Sequence, residues 1–170
     1  MNISDLTGLR MPDIRLPSTA GGTCNLGNLP SHAILIFLPF ILPPEESATE
    51  KTQMDGYLTT GFEQLLGFVM LHQEFASRGI GLYGISTQSP LVQRLTVEAL
   101  ALPFPLLSDS RRTLCHRLKI PMIHGAQMRI PRVAPLVIQV RDRRVAQVFC
   151  PTASPHYCAT RVLHQVCSIA

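Results

Sequence analysis

The chain has 170 residues, 46% hydrophobic, 15% charged and 6% aromatic, with five cysteines, fourteen prolines and a formal net charge of +4. One domain spanning residues 1–170 is expected at this length, and the apolar content excludes a disordered chain. Five scattered cysteines make no disulfide framework, and the prolines are spread as loop markers. Lys51 and Lys119 are the only lysines, so the positive charge is arginine, suited to planar recognition of carboxylate or phosphate. No basic run is interleaved with aromatics and there is no tryptophan, so neither nucleic acid nor a membrane is expected as a partner. The start lacks a basic and an apolar targeting segment, and a cytoplasmic protein with reduced thiols is expected.

In chain order, Ala33 to Leu38 is a continuous apolar run ending at Pro39, as in a strand buried on both faces. A loop of about twenty residues is expected next. Thr60-Gly61-Phe62-Glu63 has the form of a capping box that opens a helix, with Phe62, Leu65, Leu66, Val69 and Phe75 at helical spacing up to Arg78-Gly79. Gly81–Ser86 reads as a second buried strand, and Ser89-Pro90 opens a helix running to about Ala101. A short strand at Pro105–Leu107, a short helix from Ser108 to Leu118, a hairpin of Pro135–Val140 with Arg144–Phe149, and a closing helix from Pro155 to Cys167 complete the chain. The order predicts an α/β, thioredoxin-like sandwich with a central mixed sheet flanked by helices.

Particular residues narrow this. Gly84-Ile-Ser-Thr-Gln-Ser-Pro90, Leu102-Pro-Phe-Pro-Leu-Leu-Ser-Asp109, Leu118-Lys-Ile-Pro121 and Val145-Ala-Gln-Val-Phe-Cys-Pro151, with Met11-Pro-Asp-Ile-Arg-Leu16 and Cys24-Asn-Leu-Gly-Asn-Leu29, occur in this sequence. In order and spacing they resemble the peroxiredoxin family of alkyl hydroperoxide reductase/thiol-specific antioxidant type. That resemblance implies a peroxidatic cysteine in the first turn of the helix after Thr60, where a helix N-terminus and an arginine stabilise its thiolate.

The family's active-site residues are absent. Counting back from Ser86-Thr87-Gln88, the peroxidatic position falls on Gly61 and the second cysteine on Leu66. The adjoining threonine becomes Phe62, the Arg-Asp pair becomes Val69-Met70, and the Tyr-Pro-Arg after the first strand becomes Leu38-Pro39-Phe40. Loss of the whole polar set, not one thiol, predicts that peroxidase chemistry is gone from this position and that the pocket was rebuilt. Pro39, Phe40, Tyr57, Thr59, Gly61, Phe62 and Leu66 are the candidate lining of a small-molecule site. The alternative is that Phe62, Leu65 and Leu66 fill the hole as core.

The catalytic candidates are Thr60, whose hydroxyl and neighbouring N–H groups would hold an oxyanion, and Glu63, as acid–base group or simply capping residue. His124 and Arg132 complete the set, Arg132 anchoring an anionic end or lying solvated in its loop. No metal site and no cofactor are expected; Cys115-His116 lacks metal-ligand spacing. Three functions stay open. The first is a cofactor-independent, non-redox enzyme or binder (cyclase, isomerase or lyase type, in specialised metabolism) for an apolar small molecule with an anionic end. The second is a thiol oxidoreductase using Cys150 or Cys158, and the third a non-catalytic interaction module. A homodimer is expected.

Overall fold

The computed structural model describes residues 3–39, 51–124, 131–150 and 157–168, with only the backbone of 3–4 and 51–60. A short antiparallel ladder, β1 (Arg15–Pro17) with β2 (Thr23–Asn25), precedes the first core strand, β3 (His32–Phe37). The helices α1 (Lys51–Met70) and α2 (His72–Ala76) lead to β4 (Gly81–Ser86), then α3 (Pro90–Leu100), β5 (Leu106–Ser108) and α4 (Thr113–Leu118). A two-residue ladder pairs β6 (Met122–Ile123) with β7 (Arg132–Val133). The hairpin β8 (Leu136–Arg141) and β9 (Arg144–Phe149) and the helix α5 (Cys158–Ser168) follow.

The central sheet has five strands in the order β5-β4-β3-β8-β9. Strand β3 is parallel to β4, β4 is parallel to β5, and the β8–β9 hairpin joins β3 antiparallel. The sheet is therefore mixed, as the sequence predicts. Alternation along the strands divides the core. Ala33, Leu35 and Phe37 pack with Ile85, Leu107, Ile138 and the N-terminal segment, while Ile34, Ile36 and Leu38 pack with Phe68, Phe75, Val137 and Val162 on the helical side. Both faces of β3 are buried, which is why its sequence reads as one apolar run.

The stops and starts follow local chemistry. Ser89 caps α3 by accepting the Val92 N–H at 3.3 Å, and Pro90 takes the first helical position. After α2, Gly79 adopts φ +68° while Gly79 N–H and Ile80 N–H donate to the carbonyls of Ala76 and Phe75. This double bond pattern needs a left-handed residue, which glycine supplies without strain. The hairpin closes through Asp142 and Arg143, both at positive φ, the two-residue turn whose twist suits antiparallel strands.

Four expectations need correction. The helix predicted from Thr60 begins at Lys51, so the second half of the expected long loop is helical. The helix expected to run unbroken to Arg78 is interrupted at Leu71, whose ψ of 7° shifts the hydrogen bonding between α1 and α2. The segment around His124 is not wholly loop, because β6 and β7 pair across it. The short helix expected from Ser108 to Leu118 occupies only the second half of that span. Pro155, where the sequence opens the last helix, lies outside the described residues. Among the described residues no helix is long and apolar enough to cross a membrane.

Candidate functional site

The site predicted from the sequence sits between the end of β3 and α1. Leu38 and Pro39 are buried just past β3, and the Leu38 N–H donates to the Ile85 carbonyl at 2.8 Å. Phe40 lies outside the described residues, and of Tyr57, Thr59 and Thr60 only the helical backbone is described.

That backbone changes the chemistry. With α1 starting at Lys51, Thr60 and Gly61 stand in the middle of a 20-residue helix. N–H groups there are taken by carbonyls one turn earlier; free donors and the positive end of the helix dipole belong to the first turn. The oxyanion role expected of the N–H groups at Thr60 is therefore overturned, and so is the capping role of Glu63. The same geometry would deny a thiol at residue 61 the stabilisation that a helix N-terminus gives.

Beyond residue 60, α1 turns Gly61, Gln64, Leu65 and Phe68 inward. This is the i, i+3, i+4, i+7 stripe of an amphipathic helix. Leu65 and Phe68 join the helical-side core, and the Phe68 and Phe75 rings lie 5.7 Å apart. Phe62 and Leu66 do not fill it, being 41% and 40% exposed, and Glu63 is half-buried. Gln64 is the anomaly. It is 0% exposed, and among the described residues neither its Oε1 nor its Nε2 has a hydrogen-bond partner. Such groups are uncommon in folded proteins and costly, so each calls for an explanation. Sequence reading passed over Gln64, although a lone amide on an otherwise apolar helical stripe was a usable signal.

Arg132 and His124 lie elsewhere, on and beside the β6–β7 ladder. Ile123 pairs with Arg132 across the β6–β7 ladder, which places His124 next along from that pair. Arg132 is half-buried and His124 exposed.

The motifs that carry the family resemblance form a buried polar brace at the ends of β4 and β5. The Gln93 Nε2 donates to Ser86 Oγ at 2.9 Å and to the Leu107 carbonyl at 3.0 Å, and the Ser108 hydroxyl donates to the Gln88 carbonyl at 2.6 Å. Asp109 receives the N–H groups of Leu114 and Cys115 at the start of α4. These polar residues organise the strand ends and cap a helix.

The thiols are dispersed. Burial raises the Cys24 thiol, and burial together with the nearby Asp109 carboxylate raises that of Cys115. Cys158 is buried and pushed up to about 11, mainly by burial, against a partial opposing pull from Arg161. Cys150 and Cys167 are exposed. Among the described residues no cluster of three or more His, Cys, Asp or Glu side chains could hold a metal.

Comparison with known proteins gives this geometry its class. The sequence model of the AhpC/TSA family matches residues 61–134. The fold matches that of peroxidoxin BcpB from Mycobacterium tuberculosis, with a TM-score of 0.76 and 24% identity over 96% of this chain and 97% of that one. It also matches a cysteine-to-serine variant of PrxQ from Xylella fastidiosa (TM-score 0.76, 16% identity, 96% of each chain). A third match is the bacterioferritin comigratory protein of Xanthomonas campestris, whose structure was described for its alkyl peroxide reduction activity (TM-score 0.73, 18% identity, 95% of this chain and 97% of that one). No curated protein matches in sequence. The chain is peroxiredoxin-like, with the thioredoxin-type fold of these proteins and, across residues 61–134, the sequence character of the AhpC/TSA family.

Proposed function

We propose that this peroxiredoxin-fold chain does not reduce peroxides at the family position. In this reading it binds a small molecule with an apolar body and a hydrogen-bonding end beside α1. The single observation that carries the reading is Gln64, fully buried with both amide atoms unpartnered among the described residues, one turn beyond Gly61. A ligand that donates to Oε1 and accepts from Nε2 would offset a cost the free protein bears. Pro39 and Gly61, buried on the same side as Gln64, would supply apolar contact; Phe62 and Leu66, exposed on the opposite side of α1, fall outside it. The lack of any cysteine between Cys24 and Cys115 supports the loss of thiol chemistry on α1, because no other side chain performs the family's attack on peroxide.

A cyclisation or isomerisation is the catalytic form of this reading. Glu63 or His124 would move the proton, and Arg132 would anchor an anionic end. The continuous helix removes the donors that sequence reading gave to Thr60, so binding is the firmer half of the proposal. A relocated thiol is the second reading. It is favoured by the nearness of Cys150 to Cys158 and opposed by the high Cys158 value, to which Cys150 itself contributes and which leaves little thiolate at neutral pH.

Calorimetry of the full chain and of Gln64→Leu against a panel of apolar ketones and carboxylates tests the proposal. One or more should bind the native chain saturably, and Gln64→Leu should weaken that binding at least about tenfold while raising ligand-free stability by about 1–3 kcal/mol. Binding unchanged by the substitution, or stability lowered by it, would overturn the role of Gln64.

A further inference from the structure

A second candidate site lies where the β1–β2 turn meets the start of α3, with no α1 residue in its wall. We propose that this groove binds a small hydroxy acid, its carboxylate held by Arg94 and the Ser18 and Thr19 hydroxyls and its hydroxyl donated to Gln93.

The groove has a volume of ≈ 130 Å³, several times what one water needs. Its donors are set by bonds already made. Ser18 Oγ accepts the Ala20 N–H at 3.2 Å and Thr19 Oγ1 accepts the Leu106 N–H at 2.9 Å. Each hydroxyl thereby uses a lone pair and keeps its own hydrogen for another acceptor. Arg94 is exposed and makes no ion pair among the described residues. The wall also includes Pro90, the first residue of the 11-residue α3, so the positive end of that helix faces the same space. Gly22, at φ +61° with nothing within 4 Å of where a Cβ would stand, keeps the turn side open. All of this favours an anion.

Gln93 supplies the independent observation. It lines the groove and is 1% exposed, and its Nε2 is fixed on Ser86 Oγ and the Leu107 carbonyl. Its Oε1 has no partner among the described residues. A buried acceptor left open beside a cluster of donors calls for a ligand that carries both an anionic group and a donor of its own. A carboxylate with a neighbouring hydroxyl has both. Inorganic phosphate at neutral pH also carries a hydroxyl donor, so it is the competing occupant that the binding comparison below separates from the hydroxy acid.

Titration calorimetry on the full chain at low salt with glycolate, acetate and inorganic phosphate tests this directly. Glycolate should bind saturably and at least about tenfold more tightly than acetate, which lacks the hydroxyl. Arg94→Ala, at an exposed position, should weaken glycolate by about tenfold or more, and Gln93→Met should remove the preference over acetate. If Gln93→Met does not fold, the glycolate-to-acetate ratio of the native chain and the Arg94→Ala result carry the test. No saturable glycolate binding, equal binding of glycolate and acetate, tighter phosphate binding, or indifference to Arg94→Ala would each overturn the proposal. None of these outcomes bears on Gln64, so the two sites stand or fall separately.

Discussion

At the scale of single residues, two polar side chains carry most of the consequence. Gln64 sits on the buried stripe of α1 without a partner among the described residues, whereas Gln139, also buried in β8, has one in His32, with 3.0 Å between Gln139 Nε2 and His32 Nε2. The His32 ring is held below its ordinary value of 6.5, by burial first and by the Arg141 charge second, with Asp142 opposing. The Gln139 amide donates to a neutral ring nitrogen, and protonation would set two donors against each other. The sign follows from linkage. A depressed value means the unfolded chain binds the proton first, so this contribution to stability is complete above about pH 6.5 and is lost as pH falls through the lower folded value. Denaturant midpoints should therefore fall from about pH 7.5 to about pH 5, and His32→Gln should flatten that part of the profile. An unchanged slope in the variant would remove His32 as the cause.

Among the elements, α1 is where the observed fold departs most from the sequence pattern. Thr60 and Glu63 fit a capping box by residue type, but the chain ahead of them is already helical from Lys51. A capping pattern is a local preference and a continuing helix overrides it, so nothing in Thr60-Gly61-Phe62-Glu63 itself revealed the true start. Where the sequence carried a geometric necessity, the reading held: Ser89-Pro90 starts α3, and Gly79 stops α2. A cysteine installed by Gly61→Cys should be no more acidic than a free thiol, about 8.5, because it gains burial without a helix N-terminus. Alkylation at residue 61, followed by mass spectrometry against pH, measures this, and a midpoint well below 7 would mean that the helix begins there. Packing sets a second expectation in β4. A Cβ at Gly84 would run into the side chain of Leu106, itself fully buried. Gly84→Ala should cost about 1–3 kcal/mol by overpacking, seen as a lower denaturant midpoint.

For the molecule as a whole, the mixed sheet was legible because apolar runs, turn residues and family motifs agreed along the chain. The candidate site was legible only through the resemblance, which counts Gly61 and Leu66 onto the positions where it implies thiols. What replaced them depended on the length of α1 and on the burial of Gln64, both settled by tertiary packing and invisible to local pattern. The apolar excess in the composition goes only partly into the core. Phe62, Leu66 and Met70 repeat every fourth residue along α1 and stay exposed. Of the five cysteines, Cys115 and Cys158 are buried with their thiols pushed up, Cys24 is half-buried, and Cys150 and Cys167 are exposed. The central claim, that this fold no longer works through a peroxidatic thiol, is tested most directly by sulfenic-acid trapping on the reduced chain. Stoichiometric hydrogen peroxide is added and each cysteine is read by mass spectrometry. All five should oxidise no faster than free cysteine; rapid sulfenic acid formation at any one of them, Cys150 or Cys158 above all, would contradict the account.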